Sequence, residues 1–436
     1  MKTNTELIRR SLSAVWHPCS QMKHYETFPL VPISRGAGAW LYDFDGNRYL
    51  DAVSSWWVNL FGHSNPHINS ALRDQLDRLE HVMLAGFTHE PVIELSEQLR
   101  KLSGLGHCFY GSDGASATEI ALKMSAHYWK NSGKPGKNQF VSLKNSYHGE
   151  TVGALSVTDV ALFKDAYAAL IRQQATVTSP DWRQATENES SADCALRCAN
   201  DLEAYLQRHH EKIAAFIIEP LVQGAAGMAM HHPVYLARAR EICDRYEAHL
   251  IADEIAVGMG RTGTLFACEQ GGITPDFLLL SKGITAGYLP LSVVMTTDPI
   301  YDAFYDDRTA QAFLHSHSYT GNPLACRAAL ATLELFEQQD ILTENRRKAD
   351  FLNGIAAPLK NLPAVQNWRN TGMIWAFEAK SPHADFAQRC FDLALQHELL
   401  LRPMGSTVYF MPPYVVSEQE MQHLVSATKA IVEALA

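Results

Sequence analysis

The chain has no Cys-x-x-Cys pair, no internal repeat, no low-complexity tract and no uncharged apolar run of membrane-spanning length. Each absence removes a class of protein. Without paired cysteines there is no zinc-ribbon spacing. The closest two, Cys194 and Cys198, are spaced one helical turn apart. Eight cysteines scattered through 436 residues fit reduced thiols rather than a disulfide framework. Without a long apolar run there is no candidate membrane helix. The opening residues, Met-Lys-Thr-Asn-Thr-Glu-Leu-Ile-Arg-Arg, lack the apolar core of a signal peptide, so a cytoplasmic protein is expected. A formal net charge of −10 speaks against a dedicated nucleic-acid binder, which carries a basic face. The glycine turn at 111–114 is not followed by Gly-Lys-Ser/Thr, so it is no Walker loop.

What remains is an ordinary globular composition, 47% hydrophobic and 19% charged, in a chain long enough for two or three domains. Residues 1–65 read as a polar arm and part of a small domain. Asp45-Gly46 lies between alternating apolar residues and predicts a hairpin. From 66 to 335, helical patterns alternate with short apolar runs. Strands are predicted at His107–Tyr110, Phe140–Leu143, Ala214–Ile218, His249–Ala252 and Phe277–Leu280, and helices at Pro66–Glu80 and Ala115–Trp129. This is an α/β pattern, a mostly parallel sheet covered on both faces, which binds ligands beyond the carboxyl ends of its strands. From 336 to 436 a smaller α+β lobe is expected, closed by a helix from Ser417. The polar stretch Asp181–Asp193 reads as a surface loop.

Two apolar runs end in a residue able to do chemistry: Ala-His-Leu-Ile-Ala stops at Asp253, and Phe-Leu-Leu-Leu-Ser at Lys282. An ordinary Asp there caps a helix, and an ordinary Lys is a solvated loop residue. Taken in this order, they suit a carbonyl cofactor, with a lysine for a Schiff base and a carboxylate for a ring nitrogen. The turn Gly111-Ser112-Asp113-Gly114-Ala115 before a helix reads either as a phosphate cup or as a plain N-cap. Tyr147 lies over a planar group or packs as a core tyrosine. His315-Ser316-His317-Ser318 lacks a third metal ligand, and a Ser318 hydroxyl on phosphate fits better. His209-His210 and His231-His232 read as surface histidines. Trp56-Trp57, on an extended chain, sends one ring to the core and the other to a pocket. Arg402 closes an apolar run and suits either a structural acid or a substrate carboxylate.

Ala-Asp-Glu-Ile-Ala-Val-Gly-Met-Gly-Arg-Thr-Gly, Ser-Lys-Gly-Ile-Thr-Ala-Gly and His-Ser-Tyr-Thr-Gly-Asn-Pro together resemble the class III pyridoxal-phosphate aminotransferases. Such motifs run from about residue 15 to 415. The resemblance implies a fold-type I homodimer that exchanges amino groups between small molecules, with no metal. It implies catalytic roles for Lys282, Asp253 and Tyr147, with the cofactor also held by Gly114, Ala115, His317 and the partner subunit's Ser318. It places Trp56, Ser316 and Arg402 on substrate beside Tyr147 and Lys282. Three positions depart from the family pattern: Cys19 and Ala115 stand where tyrosine and serine are common, and His-Ser-His-Ser-Tyr replaces a His-Gly-Pro-Thr-Phe form.

Overall fold

The computed structural model describes residues 3–28 and 30–436. Its central sheet has seven strands: β1 His107–Gly111, β2 Gln139–Leu143, β3 Ala175–Val177, β4 Ile213–Ile218, β5 His249–Asp253, β6 Phe277–Leu280 and β7 Ser292–Thr296. They lie in the order β1-β7-β6-β5-β4-β2-β3. Only β7 runs against the rest, paired antiparallel to both β6 and β1. The sheet is therefore mostly parallel, as expected. All five predicted strands form, each within one residue of its predicted ends, while β3 and β7 were not anticipated.

Burial explains why these runs become strands. Every residue of β4, β5, β6 and β7 is buried. A strand covered on both faces needs apolar residues without alternation. One cover is helix α1, Gly114–Asn131, whose Ala117, Ile120, Ala121 and Met124 pack with Ile217, Ile251, Phe277 and Val294. Each fully buried aliphatic or aromatic side chain contributes about 1.5–3 kcal/mol. Helix α2, Ser191–His209, turns Cys194 and Cys198 to the interior one turn apart. Its N-cap Ser190 closes a capping box with Asp193, so the predicted surface loop ends there.

The described chain divides into two compact units, one from His67 to Leu342, the other up to Pro66 and from Thr343 onward. The second unit contains the predicted hairpin: Trp40–Asp43 pairs antiparallel with Arg48–Asp51, turning through Gly46 at φ 94°. Arg48–Asp51 also pairs with Leu399–Leu400, some 350 residues along the chain. A second sheet, Val365–Thr371, Ile374–Ala379 and Thr407–Phe410, buries Trp375, Phe377 and Phe410. The closing helix, Glu418–Leu435, is capped by Ser417 as predicted. No helix among the described residues is long and apolar enough to cross a membrane.

Candidate active site

The sheet delivers five chemically active segments past the carboxyl ends of its strands. Asp253 is the last residue of β5, almost wholly buried. One of its carboxylate oxygens lies 2.7 Å from Nδ1 of His148, and the other accepts from the Ile255 amide at 3.1 Å. A carboxylate facing Nδ1 fixes the proton on that nitrogen. The ring of His148 is fully buried, and its Nε2 has no hydrogen-bond partner.

Glu219 follows β4 and accepts from the amides of Tyr147 and Gly224, both at 3.0 Å. Burial pushes its carboxyl up to about 7, against the pull of His148 and with the Asp253 charge adding to the rise. Lys282 begins the turn after β6 in a left-handed conformation, φ 46°. Burial lowers its ammonium to about 8, although Asp253 and Glu219 act the other way. Lys282, Asp253 and Glu219 thus form one electrostatic group, with Tyr147 fixed to it through its backbone. The Tyr147 ring meets Phe163 edge-on at 5.3 Å, and its hydroxyl donates to Glu150. Glu254, next to Asp253, accepts from the Ala267 and Cys268 amides at 2.7 Å each and ties down the glycine-rich loop.

The Gly111–Ala115 turn opens α1, whose N-cap Asp113 accepts from the Ser116 amide at 2.8 Å. Helix geometry leaves the earlier amides free for an anion. Gly114 passes close enough to the Asp253 loop that a Cβ would lie 3.1 Å from Ile255. Gly149, at φ 117°, lies so close to Ala115 that a Cβ there would come within 2.6 Å of the alanine's own. The Gly111–Ala115 turn, the Tyr147 loop and the Asp253 loop are therefore in mutual contact. Beside them, His317 Nδ1 lies 3.0 Å from Ser112 Oγ, and its Nε2 lies 3.1 Å from His315, which in turn meets Lys123. Ser316 and Ser318 are exposed. Among the described residues no group of three or more His, Cys, Asp or Glu is placed to hold a metal ion. A neutral-prone lysine, a buried carboxylate and a helix start free to take phosphate fit a phosphorylated pyridine aldehyde.

The other unit holds Trp56 and Arg402, whose guanidinium carbon sits 4.9 Å over the Trp56 ring. Arg402 also lines a cavity of about 240 Å³ with Cys19, Tyr25, Phe28 and Phe391. The tryptophan pair does divide its duties: Trp57 is buried and donates to the Tyr409 hydroxyl, whereas Trp56 stays 45% exposed. The backbone is not extended, however. Ser54, Ser55, Trp56 and Trp57 have φ of 49°, 46°, 73° and 73°, a left-handed turn. His231 also departs from expectation. It is buried, with its imidazolium pushed down to about 4 by desolvation.

Sequence reasoning did not anticipate that His148 would meet Asp253 or that Glu219 would stand within the electrostatic reach of Lys282. Glu219 carries the same signal as Asp253, an apolar run ending in a lone carboxylate. His148 carries none, because its partner lies 105 residues away.

A family model described as "Aminotransferase class-III" matches residues 21–432. The chain belongs to the class III aminotransferases. It is 45% identical to an adenosylmethionine-8-amino-7-oxononanoate aminotransferase of Helicobacter pylori, over all of this chain and 99% of that one. It is 40% identical to a protein of the same name from Geobacter sulfurreducens, over 94% of each chain. Among solved structures, the protein of that name from Methanocaldococcus jannaschii superposes with a TM-score of 0.93 at 34% identity, covering 99% of both chains. An amine transaminase from an uncultivated Pseudomonas species, in a PLP-bound form, gives 0.92 at 31% identity, with 97% and 99% covered. The family's fold is the one described above.

Proposed function

We propose that this chain transfers the amino group of S-adenosylmethionine to the ketone of 8-amino-7-oxononanoate, giving 7,8-diaminononanoate, a step of biotin biosynthesis, with pyridoxal phosphate as cofactor. The full-length identity with relatives bearing that enzyme name carries the reading. The Lys282–Asp253–Glu219 group beside the α1 start supports the cofactor. Bound pyridoxal phosphate supplies a carbonyl that accepts the amino group and a ring that withdraws electrons from the carbon it leaves.

The chain's own residues divide the remaining work. Lys282 holds the cofactor between turnovers and, once free, moves the proton at its Nζ as general acid and base. Asp253, oriented by His148, keeps a proton on the ring nitrogen. The Gly114 and Ala115 amides take the phosphate, joined by the partner subunit's Ser318, with His317 bordering that segment. Tyr147 would stack on the ring. Trp56 lines the acceptor's path, and Arg402 takes its carboxylate by a two-point fork. The working form is a cytoplasmic homodimer.

Cys19, a departure from the tyrosine of the family pattern that the sequence resembles, favours a second reading in which lysine is the donor to the same acceptor. Another class III transaminase, acting on ω-amino acids or diamines, is the third. Titrating the holoprotein with S-adenosylmethionine beside lysine, while following the visible absorption band, separates them. Bleaching by S-adenosylmethionine is the expected result. Bleaching by lysine alone moves the donor, and no bleaching by either overturns the proposal.

A further inference from the structure

Four consecutive L-residues in the left-handed region are rare, because the Cβ of each crowds the following carbonyl. Ser54–Trp57 form such a run, and none of the four is glycine. A turn of this kind persists only where its surroundings over-determine it, and it tends to mark function.

The restraint converges on Asp51. Its side chain is fully buried. One carboxylate oxygen accepts from the Ser55 amide at 2.9 Å and the Val53 amide at 3.4 Å. The other accepts from Ser55 Oγ at 2.7 Å and meets His63 Nε2 at 3.0 Å. The ends of the turn are tied separately, Ser54 Oγ to the Met411 carbonyl and Trp57 Nε1 to the Tyr409 hydroxyl. Asp51 therefore restrains the middle of the turn, immediately before Trp56. If stability alone were at stake, a buried carboxylate would be a poor choice, since apolar packing commonly serves as well. What the carboxylate adds is a fixed conformation at Ser55, and with it the placement of the half-exposed Trp56 ring under Arg402.

We propose that Asp51, braced by His63, is a positioning residue for substrate recognition: it holds Ser55 left-handed and so sets Trp56 against Arg402. The inference rests on the reading that Trp56 and Arg402 meet the carboxylate-bearing acceptor.

Asp51→Asn tests it, because a carboxamide has one accepting oxygen and, whichever way it turns, cannot accept both from the Ser55 and Val53 amides and from Ser55 Oγ on the other side. In the holoenzyme, KM for 8-amino-7-oxononanoate should rise about tenfold or more while kcat stays within about threefold. Adding Ser55→Gly should reverse most of the rise, because glycine adopts a positive φ without the Cβ clash. Ser55→Ala, which removes one donor and leaves the carboxylate paired, should raise KM in the same direction and covers the case in which Asp51→Asn does not fold. Unchanged KM in folded variants, equal losses in kcat and thermal stability without a KM effect, or a KM rise that glycine does not reverse would each overturn the positioning role. Arg402→Ala serves as the control. If it leaves KM unaltered, the reading of Trp56 and Arg402 fails, which is distinguishable from failure of Asp51.

Discussion

At Lys282, burial and charge pull in opposite directions. Desolvation favours the neutral amine, while the Asp253 and Glu219 carboxylates favour the ammonium, and burial wins to leave the group at about 8 against a usual 10.5. Only the neutral amine attacks a carbonyl. The rate at which cofactor-free protein captures pyridoxal phosphate should therefore climb about tenfold per pH unit and level off above pH 8. Stopped-flow absorption would show the break. A climb that continues to pH 10 would mean that Lys282 is an ordinary solvated lysine. The same depression has a stability sign. Between pH 8 and 10.5 the folded chain binds fewer protons at Lys282 than the unfolded one, so stability rises with pH across that window. Below it the full penalty of burying the ammonium applies. Lys282 and Asp253 were legible in the sequence because each abruptly ends an apolar run. His148 was not, because pairing it with Asp253 requires the sheet to bring two distant loops together.

Among the elements, α1 links stability to chemistry most directly. Its N-cap Asp113 satisfies the Ser116 amide and leaves those before it to an anion. Asp113→Ala should cost about 0.5–2 kcal/mol in urea unfolding, the usual price of a lost cap. It should also weaken pyridoxal phosphate binding, because the first turn frays where the phosphate docks. A variant with unaltered stability and cofactor affinity would show that the turn is held by its packing against Ile255 and Gly149 alone. Five of the seven strands of the sheet were readable because buried strands are written as short apolar runs. Strand β7, Ser-Val-Val-Met-Thr, was missed for a related reason. Its direction and its place between β1 and β6 depend on non-local pairing that five residues cannot announce. The turn at Ser54–Trp57 was misread as extended because four non-glycine residues give no local signal for positive φ. Asp51 holds the middle of that turn, and Met411 and Tyr409 hold its ends, through contacts invisible in a linear reading.

At the scale of the whole molecule, the segment around Ser316 and Ser318 presents Leu314 at 77% and Tyr319 at 66% exposure. Large apolar side chains on either side of two residues to which the resemblance gives active-site roles are what a second copy of the chain would cover. If the partner subunit's Ser318 serves each site, two crippled chains should complement each other. A Lys282→Ala subunit paired with a Ser318→Asp subunit restores one site, built from intact Lys282 of the second chain and intact Ser318 of the first. The other site collects both lesions. Random reassembly of equal amounts makes half the dimers mixed, so about one quarter of wild-type activity should return, although each parent alone is inactive. Mixtures that stay as inactive as the parents would mean that Ser318 acts within its own chain, and a Ser318→Asp parent that keeps full activity would mean that it does not act at all. Either result would leave Lys282, Asp253 and Glu219 in place, since all three stand on the sheet of a single subunit.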